Sequence, residues 1–279
     1  MIRKALIPIA GLGTRLGPLT RVVPKAMLPL PAGDRRLLPV VHWICSEAAA
    51  AGVGEVLLIV SPWQVRLLRD YLDSAGQGYP PKLPGEIQMV EQTTPDGFGD
   101  AVARGQDLIG DQPFMLLLGD HVYTSGPDEV PCAAQVAAAF EKFAPSAMIG
   151  TQPVVAEQLP YVGVVGGEPI AERVYRCRDF IEKPDLWSAH RRLVTPGLPE
   201  GEFLAHCGIY VFTPEIFDCL GVVSRRARAA GKEVQLADAQ LVLLERHAED
   251  YLLFRINGRA HDTGTPASYA AAVAAFAQR

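Results

Sequence analysis

Strand-like and helix-like segments alternate along the first half of this chain. Strand-like segments cover Ala5 to Ile9, Val56 to Val60, Ile87 to Glu91 and Phe114 to Leu118, and helix-like spacing covers Leu37 to Ala51 and Gln64 to Leu72. Several of these strands are apolar at every position, which is typical of a parallel sheet that helices cover on both faces. The pattern therefore predicts an α/β fold.

After about residue 145 the connections between strand-like segments become shorter. The segments are Ala147 to Val154, Val162 to Val165, Val174 to Ile181 and Leu204 to Phe212. Helical patterns return at Leu236 to His247 and from about Ala267. The stretch from Gly76 to Gly85 is rich in Pro and Gly and is interpreted as a surface excursion. Because no low-complexity linker divides the chain, we expect one domain over residues 1–279.

Composition and charge limit which binding partners and which cell compartment are expected. The formal net charge is −5, so no general attraction to nucleic acid is expected, and phosphates would have to be bound by local cations and backbone amides. The 5 cysteines show no metal-ligand or paired spacing, which favours reduced thiols. The first apolar run stops at Gly11, too early for a secretory signal. The longest apolar stretches are interrupted by His42, Glu47 and Glu55, which leaves them too short for a membrane span. We expect a cytoplasmic protein without a membrane partner.

A glycine-rich loop, Ala10 to Arg15, follows the first strand. Glycines there allow backbone N–H groups to approach a phosphate chain, and Arg15 and Lys25 supply cations. The loop lacks the third glycine of a dinucleotide fingerprint, and Asp34 and Arg35 stand in a turn where a ribose-binding acid would be needed, which disfavours a nicotinamide-dependent dehydrogenase. Two interpretations remain open: a triphosphate site, or a plain turn with solvated charges.

Two aspartates are candidate metal ligands. Asp120 follows the buried strand that ends near Leu118, where open α/β sheets bind ligands, and Asp262 lies in an Asp-Thr-Gly-Thr segment. One or two carboxylates with substrate phosphates are the usual ligands of Mg²⁺. The alternatives are a turn-capping role for Asp120 and an aspartic-protease motif at Asp262, although a protease needs two such motifs. Spacing alone does not show that the two aspartates meet.

A third candidate segment is Glu182-Lys183-Pro184, at the end of a strand-like run. Neighbouring side chains on an extended strand point to opposite faces. Both would reach one ligand only if the chain bends there. A surface Glu–Lys pair is the alternative.

Taken together and in order, these segments resemble the sugar-1-phosphate nucleotidyltransferase family, most of all the bacterial UTP–glucose-1-phosphate uridylyltransferases. The resemblance covers nearly the whole chain. Its markers are Ala10-Gly-Leu-Gly-Thr-Arg15 with Pro18, Pro24-Lys25, Met27-Leu-Pro29, Gln92 with Gly97, Gly119-Asp120, Gly163-Val-Val165, Glu182-Lys183-Pro184, Glu233-Val-Gln-Leu236 with Asp238, and His261-Asp262.

The resemblance implies a Rossmann-like three-layer α/β/α sandwich with a mixed, largely parallel central sheet. It also implies a Mg²⁺-dependent enzyme that makes UDP-glucose and pyrophosphate from UTP and glucose 1-phosphate. The implied nucleotide-binding residues are Ala10, Gly11, Gly13, Thr14, Arg15, Lys25, Gln92 and Gly97. The implied sugar-phosphate residues are Gly163, Glu182 and Lys183, the metal ligands are Asp120 and Asp262, and the catalytic cations are Arg15, Lys25 and Lys183.

By the same resemblance, residues of about 1–145 form a nucleotide-binding half and those of about 146–279 a sugar-phosphate-binding half. Family members are often dimers or tetramers, so a homo-oligomer is expected. His121 is a bystander in this scheme, since a sugar phosphate is already an oxyanion and needs no strong base.

One position departs from the uridylyltransferase pattern. Ala26 stands where that subfamily usually has Glu, so one means of selecting the base is missing. Pro95-Asp96-Gly97 and Asp262-Thr263-Gly264-Thr265 are more similar to glucose-1-phosphate thymidylyltransferases. Both UTP and dTTP therefore remain candidate substrates. A non-catalytic homologue of the same fold is a further alternative, although Lys25, Asp120, Lys183 and Asp262 are all present.

Overall fold

The strands and helices follow the alternation in the sequence closely. The computed structural model describes residues 1–33, 36–75, 79–126 and 129–278. The strands are β1 (Lys4–Pro8), β2 (Pro29–Ala32), β3 (Arg36–Pro39), β4 (Glu55–Val60), β5 (Glu86–Glu91), β6 (Phe114–Leu117), β7 (His121–Thr124), β8 (Ala147–Val155), β9 (Gly163–Ala171), β10 (Val174–Glu182), β11 (Glu202–Phe212), β12 (Tyr251–Arg255) and β13 (Arg259–Asp262).

The α-helices connect and cover these strands. They are α1 (Val40–Ala50), α2 (Val65–Ala75), α3 (Phe98–Ala103), α4 (Gln106–Ile109), α5 (Cys132–Phe143), α6 (Leu186–Arg192), α7 (Glu215–Ala229), α8 (Leu236–Arg246) and α9 (Pro266–Phe276). Short 3₁₀ helices span Thr14–Arg21, Lys25–Met27, Pro62–Gln64 and Ala156–Tyr161. Within the described ranges, no helix combines the length and the apolar character needed to cross a membrane.

One mixed sheet contains strands from both halves of the chain. Among the described residues it has 9 strands, in the order β5-β4-β1-β6-β11-β8-β12-β10-β9. The first four strands in this order are parallel, and β11 pairs antiparallel with both β6 and β8. Two small antiparallel ribbons, β2–β3 and β7–β13, stand outside it.

Alternate residues of the central strands face two separate cores. On β1, Ile7 belongs to a core that α1, α5 and α9 cover, whereas Leu6 belongs to a core that α3, α7 and α8 cover. On β6, Met115 belongs to the first of these cores and Phe114 to the second, and both are fully buried. A central strand between two helical layers must be apolar on both faces, which explains the continuous apolar runs and confirms the predicted α/β/α sandwich.

The N-terminal limit of the first predicted helix is wrong. Leu37 to Pro39 were expected to be helical, but they lie in β3, which pairs antiparallel with β2. Helix α1 begins at Val40 because Pro39 adopts an extended conformation and occupies the N-cap position. Asp34 and Arg35, and residues 76–78 at the start of the expected surface excursion, lie outside the described residues.

Candidate active site

The candidate residues of the first half follow strands of the sheet at one edge. The glycine loop follows β1, Gln92 follows β5, and Asp120 follows β6. Strands β5, β4, β1 and β6 are parallel neighbours, so their carboxyl ends meet at the same edge. Ligands of open α/β sheets bind at such an edge.

One buried threonine, Thr20, hydrogen-bonds the backbone of the glycine loop and of the turn after it. Thr20 donates hydrogen bonds from Oγ1 to the carbonyl oxygens of Gly13 and Gly17, both at 3.1 Å. Gly13 has a φ of 65°, a left-handed conformation that glycine adopts without strain. Ala10 is buried at the base of the loop, whereas Gly11, Thr14 and Arg15 are exposed. The helix after the loop is a 3₁₀ helix, Thr14–Arg21, with a kink at Gly17.

Lys25 lies beneath this loop and forms an ion pair with Asp120. Its Nζ atom is 2.7 Å from Oδ2 of Asp120, and both side chains are largely buried. A Cβ atom on Gly11 would lie 3.8 Å from the same Nζ. The interpretation of Lys25 as a solvated surface charge is therefore wrong.

The charge of Asp120 is strongly favoured in this setting. Burial alone would raise the pKa of its carboxyl group, but the Lys25 ammonium and a hydrogen bond with His121 outweigh burial and hold that pKa well below its ordinary value. His121 contacts the carboxylate at 3.0 Å, from Nδ1 to Oδ1. His121 thus touches the candidate metal ligand, and its role as a bystander in the reaction stays a prediction.

Asp262 reaches Asp120 because two distant segments pair as a ribbon. In the β7–β13 ribbon, Asp262 stands opposite His121. Next to it, Thr263 donates hydrogen bonds from its backbone N–H and its Oγ1 to the carbonyl oxygen of Asp120, at 2.8 and 2.9 Å. One ligand atom from each of Asp120, His121 and Asp262 lies within 4.8 Å of the others, which makes this cluster a candidate site for a divalent metal ion.

Arg15, which belongs to the glycine loop, lies next to the same cluster. A Cβ atom on Gly264 would lie 2.9 Å from Oδ1 of Asp262, 3.1 Å from a terminal guanidinium nitrogen of Arg15 and 3.4 Å from Oδ2 of Asp120. Residue 264 therefore has to be small, because three charged groups converge on it. The cluster combines two cations with two carboxylates at the carboxyl edge of the sheet.

The second group of predicted residues lies at the paired ends of β9 and β10. Glu182 on β10 stands opposite Gly163 on β9, and a Cβ atom on Gly163 would lie 2.8 Å from Oε2 of Glu182. Lys183 has a φ of 52°, so the strand bends at Lys183 itself. This bend brings Nζ of Lys183 to 3.7 Å from Oε1 of Glu182, with both side chains about half exposed. The two adjacent residues can therefore serve one ligand.

Nearly the whole chain matches a known family. Residues 4–279 match the nucleotidyl transferase family. The chain belongs to this family. It is 32% identical, over an alignment of 299 positions, to the UTP–glucose-1-phosphate uridylyltransferase of Bacillus subtilis (strain 168), covering 100% of this chain and 92% of that protein. It is also 32% identical to UTP–glucose-1-phosphate uridylyltransferase 2 of Staphylococcus saprophyticus, with coverages of 94% and 88%.

A solved structure is similar over the full length. The crystal structure of a UDP-glucose pyrophosphorylase complexed with UDP-glucose is 28% identical and covers 100% of this chain and 99% of that chain, with a TM-score of 0.81. These matches confirm the fold and the family that the motifs indicated. This nucleotidyl transferase is accordingly an enzyme of the uridylyltransferase type in sequence and fold.

In this nucleotidyl transferase, Gln92 and Gly97 belong to one braced loop. The buried amide of Gln92 donates hydrogen bonds from Nε2 to the carbonyl oxygen of Gly97, at 3.2 Å, and to Oδ2 of Asp100, at 2.8 Å. Gly97 has a φ of 109°, and a Cβ atom there would lie 2.5 Å from the carbonyl oxygen of Val234. Val234 in turn bonds the backbone of Asp96 and Gly99. The marker Gln92 with Gly97 and the marker that contains Val234 are far apart in the chain, and both hold this loop in place.

Ala26 lies in the core, not at the surface of the site. It is fully buried in the 3₁₀ helix Lys25–Met27, among the residues that α1, α5 and α9 cover. Its methyl group offers no hydrogen bond to a base.

Three residues that lie next to the candidate sites were not predicted from the sequence. Thr263 and Ser268 brace the metal cluster, and Ser268 donates from Oγ to Oδ2 of Asp262 at 3.0 Å. His206 on β11 lies next to Gly163: its Nδ1 would be 3.3 Å from a Cβ atom there. Burial lowers the pKa of His206 to about 3, so the imidazole is neutral at neutral pH. Ser268 lies 6 positions after Asp262, in the first turn of α9, where the capping pattern with Thr265 is a usable signal, but a single histidine in a strand gives none.

Proposed function

We propose that this nucleotidyl transferase joins UTP to glucose 1-phosphate in the presence of Mg²⁺ and releases UDP-glucose and pyrophosphate. The observation that carries the proposal is the convergence of Arg15, Lys25, Asp120 and Asp262 at one edge of the sheet, with Glu182 and Lys183 paired at the end of β10. The names of the curated relatives and of the solved structure support UTP and glucose 1-phosphate as the substrates.

In this proposal the phosphate oxygen of glucose 1-phosphate attacks the α-phosphorus of UTP. The new P–O bond forms as the bond from the α-phosphorus to the bridging oxygen breaks, and pyrophosphate leaves with the electron pair. Since the nucleophile is already an anion, the chain has no proton to remove. Its task is to hold two polyanions together and to neutralise their charge.

The roles of the cations follow from where they lie. Arg15 and Lys25 are next to the glycine loop, so they would bind the triphosphate and stabilise the leaving pyrophosphate. Lys183 would bind the phosphate of the sugar, with Glu182 accepting hydrogen bonds from sugar hydroxyl groups. Gln92 and Gly97 would shape the base pocket. These roles extend the division into a nucleotide-binding half of about 1–145 and a sugar-phosphate-binding half of about 146–279.

The donor set at Asp120 and Asp262 fits Mg²⁺. Carboxylate oxygens are the ligands this ion prefers, and the lowered pKa of Asp120 keeps its carboxylate ionised. Asp262 is oriented by hydrogen bonds from Gly264 and Ser268. When bound, Mg²⁺ supplies positive charge that neutralises phosphate oxygens.

One observation keeps dTTP as a second candidate nucleotide. The methyl group of Ala26 is buried and cannot hydrogen-bond a uracil edge, so base selection has to come from other groups. The non-catalytic alternative has less support, because the cations and carboxylates converge as a working site would require.

A substrate matrix tests the proposal. Pyrophosphate release is measured for UTP, dTTP, ATP, CTP and GTP, each with several sugar 1-phosphates, with Mg²⁺ and with a chelator. The proposal expects UTP with glucose 1-phosphate to be turned over fastest and only with the metal. A faster rate with dTTP would change the assigned nucleotide from UTP to dTTP and leave the assigned reaction unchanged.

Loss of activity in Asp262→Asn, compared with the exposed control Asp218→Asn on α7, tests the metal site separately. Binding of UTP without turnover of any pair would favour the non-catalytic homologue.

A further inference from the structure

His206 occupies an unusual position on β11. The antiparallel pairing of β11 with β8 is interrupted between His206 and Tyr210, so β11 is irregular immediately after His206. The imidazole ring stacks on Phe180, with 4.7 Å between ring centroids and 23° between planes. Stacking on an aromatic ring fixes the plane of the imidazole and therefore the directions of its two nitrogens.

One of these nitrogens lacks a protein partner. Nε2 of His206 is buried and makes no hydrogen bond within the described part of the chain. More than about 90% of buried polar groups in proteins have a partner, and each exception needs a reason. Leaving a buried polar atom unsatisfied costs about 1–3 kcal/mol. The other ring nitrogen, Nδ1, is the one that faces the neighbouring strand, 3.3 Å from the Cβ position of Gly163.

The ring lies beside the proposed sugar site. The Cβ position of Gly163 is 2.8 Å from Oε2 of Glu182 and 3.3 Å from Nδ1 of His206, so the carboxylate and the imidazole are at most about 6.1 Å apart. Residue 163 has no side chain between them, and a Cβ atom there would also meet the ring of Phe180 at 2.9 Å. A neutral imidazole has one donor and one acceptor nitrogen, whereas the carboxylate only accepts. Together they match a polyol.

We propose that His206 is a specificity-determining residue that hydrogen-bonds one hydroxyl group of the sugar 1-phosphate, beside the hydroxyl bound by Glu182. The inference rests on the proposed function, since it assigns the acceptor to the site at Gly163 and Glu182. It further requires that the accepted sugar carries a free hydroxyl at the carbon that faces His206. Sites with a buried polar partner reject analogues that lack the matching group.

The test compares glucose 1-phosphate with each of its monodeoxy analogues. Wild type should lose about 10- to 100-fold in kcat/KM on one analogue, the loss expected when a polar atom is left without its partner. His206→Leu should lose a similar factor on glucose 1-phosphate and should no longer distinguish that analogue from it. His206→Asn, whose amide can replace Nδ1, should retain part of the discrimination. The KM for the nucleotide should stay unchanged in both variants.

A purely structural role predicts a different pattern. It would lower activity on all sugar phosphates by one factor and leave the ratios at their wild-type values, which would overturn the inference. The control His190→Leu changes an exposed histidine on α6 and should leave every ratio unchanged.

If no nucleotide is turned over, the proposed function fails, but the Kd ratios of the same analogues, measured by calorimetry, still decide the role of His206. Absence of any sugar-phosphate binding would overturn both.

Discussion

The ammonium group of Lys25 lies 2.7 Å from a carboxylate oxygen of Asp120, which is 95 positions later in the chain. This pair joins the segment after the glycine loop to the carboxyl end of β6. It places a cation and a candidate metal ligand together before any substrate binds. The pair is partly shielded from water, so its charges interact more strongly than a surface pair would.

Replacing Lys25 should impair catalysis more than folding. Lys25→Met removes a cation from the proposed pyrophosphate site, and kcat/KM should fall by about 10²- to 10³-fold. It also leaves Asp120 without its main partner, which should lower the free energy of unfolding by about 1–3 kcal/mol. Steady-state kinetics and urea unfolding measure the two effects. The exposed control Lys142→Met should match wild type, and a Lys25→Met variant within twofold of wild type would contradict the assigned role.

Lys183 should affect the binding of the sugar phosphate and not the binding of the nucleotide. Lys183→Met should raise the KM for glucose 1-phosphate by tenfold or more, as expected for loss of a charge-assisted contact of roughly 1.5–3 kcal/mol. The Kd for UTP, measured by calorimetry without the sugar, should not change, because Lys183 lies beside Glu182 just after β10 and not at the glycine loop. Equal weakening of both substrates would show that the two sites are not independent.

Gly97 should tolerate no side chain. In Gly97→Ala the new methyl group would meet the backbone of Val234, and the segment that braces the loop would have to move. We expect the free energy of unfolding to fall by about 1–3 kcal/mol and the KM for the nucleotide to rise.

Gly52→Ala is the matched control for Gly97→Ala. Gly52 also has a positive φ, of 85°, but open space around it, so only backbone strain of about 1 kcal/mol should appear. Equal losses of stability in the two variants would contradict the proposed clash.

His206 should make stability depend on pH. Its pKa is lowered to about 3 in the folded protein, against an ordinary value of about 6.5, so below about pH 6.5 the unfolded chain binds a proton that the folded chain does not. The stabilising contribution is complete above about pH 6.5 and decreases as the pH falls towards about 3, by up to about 1.4 kcal/mol per pH unit.

Urea unfolding from pH 7 to pH 4 should therefore show a shallower decline for His206→Leu than for wild type. Parallel declines in the two proteins would mean that His206 titrates normally when folded.

The strands and helices were predictable wherever one local pattern dominated. Continuous apolar runs predicted β1, β4 and β6, because a strand between two helical layers needs apolar residues on both faces. The residues at Leu37 to Pro39 were misjudged because their apolar spacing also suits a helix, and only pairing with β2 decides for a strand. The ribbon of β7 and β13 had no local signal at all.

The sequence by itself determined the fold class and the candidate residues, because apolar periodicity and glycine turns act over a few neighbouring positions. It also determined that Lys25, Asp120, Lys183 and Asp262 were present in the family order. Only the tertiary structure decided that Asp262 meets Asp120, that Lys25 is paired, and that His206 lies beside Gly163. Those contacts join residues far apart in the chain, and their distances depend on strand pairing and on close packing, which no local pattern records.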